Sequence, residues 1–338
     1  MSAYGRARIG YGGVVEGEIV DPLAVSAAIK ECLRSAGIRA KYACLGVSNQ
    51  KVVVRLVDLP FMQNDELAGA IQFQAQDYIP IPIEEAILSY ERIGEYVTPS
   101  DEHMMEVLLV AAQSDMINNV VAAADGAGVR PERIDVTSFA LARALVGLAD
   151  VPFFGDEGAG AATCIVHITS GLTNILVVES GIPRFTRVSS FGGNQFTQAV
   201  ANVLNVPFEE AEALKLEIGL PALDGSVTEV AGTDPQTVSS VQDTLEREAN
   251  KFIAEVRRSL DYYITQATQA KHIERVVLAG NGSNMAHLMD YLTQGLQAQV
   301  VMGDPLQNVT VARGIEDLVF ADRQGCAVAV GLAMEVGS

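Results

Sequence analysis

Three strand-like runs follow one another between Thr163 and Ser189 with only tight turns between them. Thr163 to Ile168 and Thr173 to Glu179 flank the small-residue turn Thr169-Ser170-Gly171-Leu172. Ser180-Gly181 then turns the chain into the alternating run Arg184 to Ser189. Such a meander has to form an antiparallel sheet. The pair Gly192-Gly193 follows it at once and opens a helix over Gln195 to Leu204. Both halves of the chain mix hairpins with helices, and no fixed-period repeat is visible. The 338 residues suffice for about two domains. Apolar residues make up 49% and aromatics only 6%, with no Trp, so the cores must be built largely from Ala, Val, Leu and Ile.

Before the meander, Asp21-Pro22 reads as an N-cap with proline in the first turn, and Val25, Ala28, Ile29, Cys32, Leu33 and Ala36 recur at helical spacing up to Gly37. Strands are expected at 43–47 and 52–57, with Leu59-Pro60 ending the pattern. A helix is expected over 65–77. Tyr78-Ile79-Pro80-Ile81-Pro82 can be neither helix nor central strand, because two prolines remove donors and force their predecessors into extended geometry. Strands at 87–93 and 105–112 flank a polar loop at 98–102, and Ser114 is placed as the cap of a helix to Ala124. A helix at 138–148 leads to the Gly- and Ala-rich stretch 152–160, the expected linker. Past the Gly-Gly pair, helices are expected at 208–218, 245–267 and around Leu288 to Leu296, strands at 275–279 and 300–302, and a closing helix at 324–335.

Several classes fall away. Acidic residues outnumber basic ones 42 to 23, for a formal charge of −19, and such a surface repels phosphate backbones and anionic headgroups. Nucleic acid is therefore not an expected partner. No apolar run has the ~20 residues a membrane helix needs, and the first residues lack a signal-peptide pattern. Cys32, Cys44, Cys164 and Cys326 are scattered without a Cys-x-x-Cys pair, and the four histidines are equally dispersed, so no zinc or other metal site is expected. These features read as a cytoplasmic chain without direct membrane insertion.

Four segments have the residue types for ligand chemistry. The His167 to Asn174 hairpin could present backbone amides and the hydroxyls of Ser170 and Thr173 to a phosphate, with Gly171 giving close approach and Asn174 beside it. Any hairpin rich in Ser, Gly and Thr would look similar. Gly192-Gly193-Asn194 could admit an anion to the positive end of a helix, or be an ordinary strand-to-helix turn. Glu212 and Lys215 share a helix face at i, i+3 and could hold two sugar hydroxyls or simply pair with each other. Gly280-Asn281-Gly282-Ser283 follows a strand as half of a dinucleotide fingerprint, without the third glycine. A Rossmann dehydrogenase is therefore not expected.

The order of these four segments resembles the actin-like nucleotide-binding superfamily, and within it the PilM-like family of type IV pilus assembly, which is related to FtsA. The resemblance rests on 16–22, on the Ala70 to Glu85 stretch with its Tyr-Ile-Pro-Ile-Pro-Ile-Glu-Glu run, on Gly192 to Thr197, on 257–263 and on 327–333. It implies an α/β, actin-like (ribonuclease H-like) two-lobed fold with an inserted FtsA-type small subdomain. The implied first lobe is 1–58 and 136–155 with 324–338, the insert is 59–135, and the second lobe is 156–323. The family's opening Asp-Ile-Gly-x-x-x-x-Lys segment is not in this sequence, and Met1 to Gly13 reads at most as one remnant strand. Where the family has Asp-Ile-Gly in its second phosphate hairpin, His167-Ile168-Thr169 stands here, so an imidazole replaces the carboxylate that orients Mg²⁺. Imidazole is a poor ligand for that hard cation.

The resemblance further implies nucleotide contacts from Ser170, Gly171, Thr173, Asn174, Gly192, Gly193, Asn194, Glu212, Lys215, Gly280, Gly282 and Ser283, with His167 at a degenerate metal-orienting position and no catalytic residue. ATP and Mg²⁺ are therefore doubtful cofactors, and little or no hydrolysis is expected. The implied function is a scaffold at the inner face of the cytoplasmic membrane. It would bind the short tail of a PilN-like membrane protein and other pilus platform proteins, through a groove assigned to Leu59, Phe73, Tyr78 and Ile79. Those four residues could equally be ordinary core. The alternative is an actin-fold ATPase or kinase using Mg-ATP. An FtsA-like division protein would carry a basic amphipathic tail, which Met334 to Ser338 does not resemble.

Overall fold

The computed structural model describes residues 1–10, 12–146, 161–226, 230–266 and 272–334. The linker expected at 152–160 and the last four residues of the tail lie outside them. The chain packs as two compact units, Gly5–Val136 and Met1–Tyr4 with Thr137–Ser338.

The first unit begins with a two-residue hairpin, β1 (Val14–Val15) and β2 (Glu18–Ile19), then α1 (Pro22–Ser35), β3 (Tyr42–Val47) and β4 (Val52–Pro60). Met1 to Gly13 reads at most as one remnant strand, and none of its described residues is in a strand. Asp21 caps α1 as expected, its carboxylate accepting from the amides of Leu23 and Ala24 at 3.0 and 3.1 Å. There follow α2 (Asn64–Gln74), β5 (Ala86–Val97), β6 (His103–Gln113), α3 (Ser114–Gly126) and β7 (Arg130–Val136). Ser114 is the first helical residue and Gln113 the cap.

A three-stranded antiparallel sheet runs in the order β4-β6-β5, and β3 pairs with β7 in parallel. Two expectations change here. Strand β4 runs through Leu59 to Pro60, paired with Met105 and Met104. Proline is tolerated because β4 is an edge strand and Pro60 its last residue. The sequence Arg-Pro-Glu-Arg-Ile-Asp-Val has no apolar run to mark a strand, yet it forms β7. The core of the three-stranded sheet lies on one face, where Val53, Val57, Leu59, Met105, Val107, Leu109 and Ala111 pack against Leu67 and Ile71 of α2 and against Ala75 and Ile79.

The second unit comprises α4 (Thr137–Leu145), β8 (Ala161–Ile168), β9 (Thr173–Glu179), β10 (Ile182–Ser189), α5 (Gly193–Leu204), α6 (Phe208–Ile218), α7 (Pro235–Gln266), β11 (His272–Ala279), α8 (Leu288–Leu296), β12 (Gln299–Met302), α9 (Glu316–Ala321) and α10 (Ala327–Ala333). Its sheet has the order β10-β9-β8-β11-β12, antiparallel on the meander side and parallel from β8 through β11 to β12. Helices cover both faces. Ala162, Cys164, Val166 and Ile168 of β8 join one core with α5, α6, α7 and α8, while Ile165 joins the other with α4 and α10. Burial on both faces explains why β8 reads as a continuous apolar run and not as an alternation. The closing helix begins at Ala327, three residues later than expected, and α9 was not foreseen at all.

Candidate functional site

The structure brings together all four segments singled out in the second unit. The turn at 169–172 links β8 to β9. Gly192 and Gly193 open α5, Glu212 and Lys215 lie on α6, and the Gly280 to Ser283 turn follows β11. They converge at the ends of the central strands, and what joins them is their contact with one another.

Helix α5 starts directly on the hairpin. The Gly193 amide donates to the Thr169 carbonyl at 2.9 Å, and the Asn194 amide to the Ser170 carbonyl at 2.7 Å. The Gln195 amide bonds the Gly192 carbonyl at 3.2 Å. A helix start attracts anions because its first amides are unsatisfied. Here these amides already have partners. Gly192 is required by the same contact, since a Cβ would lie 2.6–2.8 Å from the Leu172 nitrogen and the Ser170 and Thr169 oxygens. The hairpin closes on itself through Thr169, whose hydroxyl donates to the Leu172 carbonyl at 2.9 Å. Thr173 is buried and donates to the Phe191 carbonyl at 2.6 Å, whereas Ser170 and Asn194 are exposed and Gly171 faces open space.

The Glu212–Lys215 pair is likewise turned inward. Lys215 is buried, and its Nζ lies 2.6 Å from the Glu212 carboxylate, 2.9 Å from the Thr197 hydroxyl and 3.4 Å from the Gly193 carbonyl. Glu212 also accepts from Thr197. Thr197 was missed as a site residue; its one sequence signal is its place a helical turn after Gly193, on the face toward α6.

The Gly280 turn packs under the hairpin. Gly280 has φ +82°, and a Cβ there would meet the Ile168 carbonyl oxygen at 2.3 Å and His167 Cδ2 at 3.0 Å. A Cβ on Gly282 would meet the Ile168 side chain at 2.4 Å. Ser283 is buried, and its hydroxyl donates to the Gly280 carbonyl at 2.7 Å. The Gly280 amide donates to the Gln324 carbonyl at 3.2 Å, and Asn281 donates to Asp322 at 3.0 Å. Tyr4 also donates to Asp322. No spacing rule connects Asp322 or Gln324 to a turn 40 residues upstream, so sequence reasoning could not find them.

His167 sits on central strand β8, opposite Asn174 of β9 and Ala279 of β11. It is 4% exposed, and Nδ1 has no hydrogen-bond partner. Burial pushes its pKa down to about 4, so the ring is neutral near pH 7. Among the described residues, no three His, Cys, Asp or Glu side chains cluster in a way that could hold a metal ion. A neutral, buried imidazole lacks the anionic oxygen that Mg²⁺ requires, so this donor set does not fit that cation.

The residues assigned to a partner groove divide. Leu59 and Ile79, at 2% and 6% exposed, belong to the core of the three-stranded sheet. Phe73, on α2, is 82% exposed, and Tyr78 is exposed too. The exposed pair is thus the part of that assignment that a partner could reach. Among the described residues, no helix is long and apolar enough to cross a membrane.

The chain matches the family described as type IV pilus assembly protein PilM over residues 2–336. It belongs to the PilM family. A solved structure of a PilM–PilN type IV pilus biogenesis complex is 26% identical, with a TM-score of 0.77 over 96% of this chain and 88% of that one. The cell division protein FtsA of Escherichia coli K12 is 27% identical over 266 residues, 75% of this chain and 60% of that protein. The chain thus spans about 60% of the length of that relative, less than two thirds. The ethanolamine utilization protein EutJ of Carboxydothermus hydrogenoformans shares the fold, with 14% identity and a TM-score of 0.51 over 95% of this chain and 76% of that one. The actin-like α/β fold expected for PilM-like chains is therefore the fold of this one.

Proposed function

We propose that this PilM-family chain is a scaffold of the type IV pilus assembly platform, held at the inner face of the cytoplasmic membrane by the short tail of a PilN-like membrane protein. The observation that carries the reading is the likeness, over almost the whole chain, to the PilM of a PilM–PilN complex. In the first unit, Phe73 and Tyr78 offer exposed aromatic surface of the kind an extended apolar tail uses for side-chain pockets. The domain division offered with this reading is one lobe from 1–58, 136–155 and 324–338, a second from 156–323, and the insert 59–135.

The same reading assigns the converged segments of the second unit to a nucleotide-type pocket that has weakened. Its helix-start amides are engaged by Thr169 and Ser170, Lys215 is engaged by Glu212 and Thr197, and His167 stands where a carboxylate would orient a metal. Phosphoryl transfer needs charge neutralised on both sides of the transferred group, and these residues neutralise one another instead.

The test is titration of the full chain with a synthetic PilN-like tail peptide, alongside Mg-ATP and adenosine. Saturable peptide binding that drops at least tenfold in Phe73→Ala or Tyr78→Ala, with little or no heat from Mg-ATP, is the expected result. A chain that ignores the peptide, or turns over Mg-ATP at about 1 s⁻¹ as slower kinases do, would overturn it.

A further inference from the structure

The charge of this chain is unevenly distributed. Between Pro22 and Val57 there are six basic residues, Lys30, Arg34, Arg39, Lys41, Lys51 and Arg55, against one acidic residue, Glu31, in a protein whose formal charge is −19. The fold gathers four of the cations at one end of the first unit. Helix α1 is closed by the Gly37 amide on the Arg34 carbonyl and the Ile38 amide on the Leu33 carbonyl, so Arg39 and Lys41 leave directly from its C-terminal end. Lys30 lies one helical turn before Arg34. Strand β7 begins at the same place, since the Arg130 amide donates to the Lys41 carbonyl at 2.9 Å and Arg130 stands opposite Tyr42 in the register.

A cation in the last turn of a helix is ordinary, because it complements the helix dipole. Arg34 is explained in that way, and it is also held by Glu31 at 2.7 Å. Lys30, Arg39, Lys41 and Arg130 are not so explained. All four are exposed, and none makes an ion pair among the described residues. Against these cations and Arg34, five in all, the carboxylates beside them in the chain or on the elements that end there are Glu31, already paired with Arg34, Asp125, at the end of α3, and Glu132, on β7, so basic residues exceed acidic ones. Tyr42, 59% exposed, stands among the cations.

We infer that this end of the first unit is a contact surface for anionic lipid headgroups. A bilayer presents a plane of negative charge that a single patch can meet. Acidic surface farther than a Debye length, about 8 Å at physiological salt, is screened from it. Juxtamembrane lysines and arginines are attracted to such a plane, and a tyrosine suits the headgroup level. The uneven charge also sets orientation, with the basic end toward the lipid. None of these residues belongs to the proposed tail-binding pair, so lipid contact and peptide capture can fail separately.

The experiment is co-sedimentation of the full chain with vesicles of phosphatidylcholine alone and of phosphatidylcholine mixed with phosphatidylglycerol, at low and physiological salt. Binding is expected only with phosphatidylglycerol, weakening as salt rises. At about fivefold per basic residue, Lys30→Glu/Arg39→Glu/Lys41→Glu/Arg130→Glu should lose more than about a hundredfold, with an unchanged circular dichroism spectrum. Arg258→Glu, an exposed charge in the other unit, should bind as the parent does. Equal binding to pure phosphatidylcholine, no binding at low salt, or full binding by the quadruple variant would overturn the inference. So would duplex DNA bound as tightly as the anionic vesicles at the same salt, which would mark the patch as a general polyanion site.

Discussion

In the five-stranded sheet of the second unit, β9 is buried along nearly its whole length and β8 along every residue from Ala162 to Ile168, whereas β5 of the three-stranded sheet alternates between half-buried and exposed positions. The first sheet is covered by helices on both faces and the second packs its core on one. That difference reaches the functional residues. Around the Thr169 hairpin, the amides that open α5, the Thr169 and Thr173 hydroxyls, Lys215 and Gly192, Gly280 and Gly282 make internal contacts, while Ser170, Gly171 and Asn194 stay open. On α2 and the turn after it, Phe73 and Tyr78 remain free of the core. One region turns most of its polar groups inward, and the other leaves aromatic side chains on its surface.

The comparison can be broken most forcefully at Gly280. Its positive φ and the 2.3 Å approach to the Ile168 carbonyl leave no room for a Cβ. Gly280→Ala should therefore cost roughly 3 kcal/mol or more, measured as a shift in the urea midpoint. Gly192→Ala should follow closely, for its contacts are also with backbone that cannot move aside. Tolerance of both would mean that the close packing of hairpin, helix start and turn is not what these glycines serve.

The next effect is a pH dependence. His167 has its folded pKa depressed to about 4 by burial, below an ordinary value near 6.5. Protonation therefore favours the unfolded chain. The stability held by the neutral ring is complete above about pH 6.5 and declines as pH falls toward 4, by about 3 kcal/mol in all. Denaturation midpoints across that window should fall steadily in the parent and less steeply in His167→Asn. Equal slopes would show that other groups govern the acid limb.

Lys215→Met should cost about 1–3 kcal/mol, since it removes the buried partner of Glu212 and Thr197 while Glu212 keeps some access to water. Thermal melts of this variant and of Lys215→Met/Glu212→Leu sharpen the point. If the pair is chiefly internal, the double variant should recover much of the loss. Smallest of all is Phe73→Ser, which should move stability by less than about 0.5 kcal/mol. Its larger effect is expected on tail-peptide affinity, as the proposed tail contact requires, and a large stability loss would place Phe73 in a core that its exposure denies.

Much of the fold was legible along the chain because it depends on local signals. The cap at Asp21, the break at Tyr78 to Pro82, the meander from Thr163 to Ser189 and the helix Phe208–Ile218 all come from propensity, turn chemistry and periodicity within a few residues. Strand β7 was hidden because its polar sequence is made a strand by pairing with β3, and β4 ran on through Pro60 because an edge position needs no donor there. The order of the four segments pointed to the actin-like superfamily, and the stretch Ala70 to Glu85, with 16–22, 192–197, 257–263 and 327–333, to the PilM-like family. Which contacts the four segments make with one another was decided only in three dimensions, by carbonyls of Thr169 and Ser170 meeting the start of α5 and by Gln324 and Asp322 reaching the Gly280 turn. Sequence fixes which groups a chain possesses, but hydrogen bonds between residues distant along it are set by the packing that brings them within 3 Å.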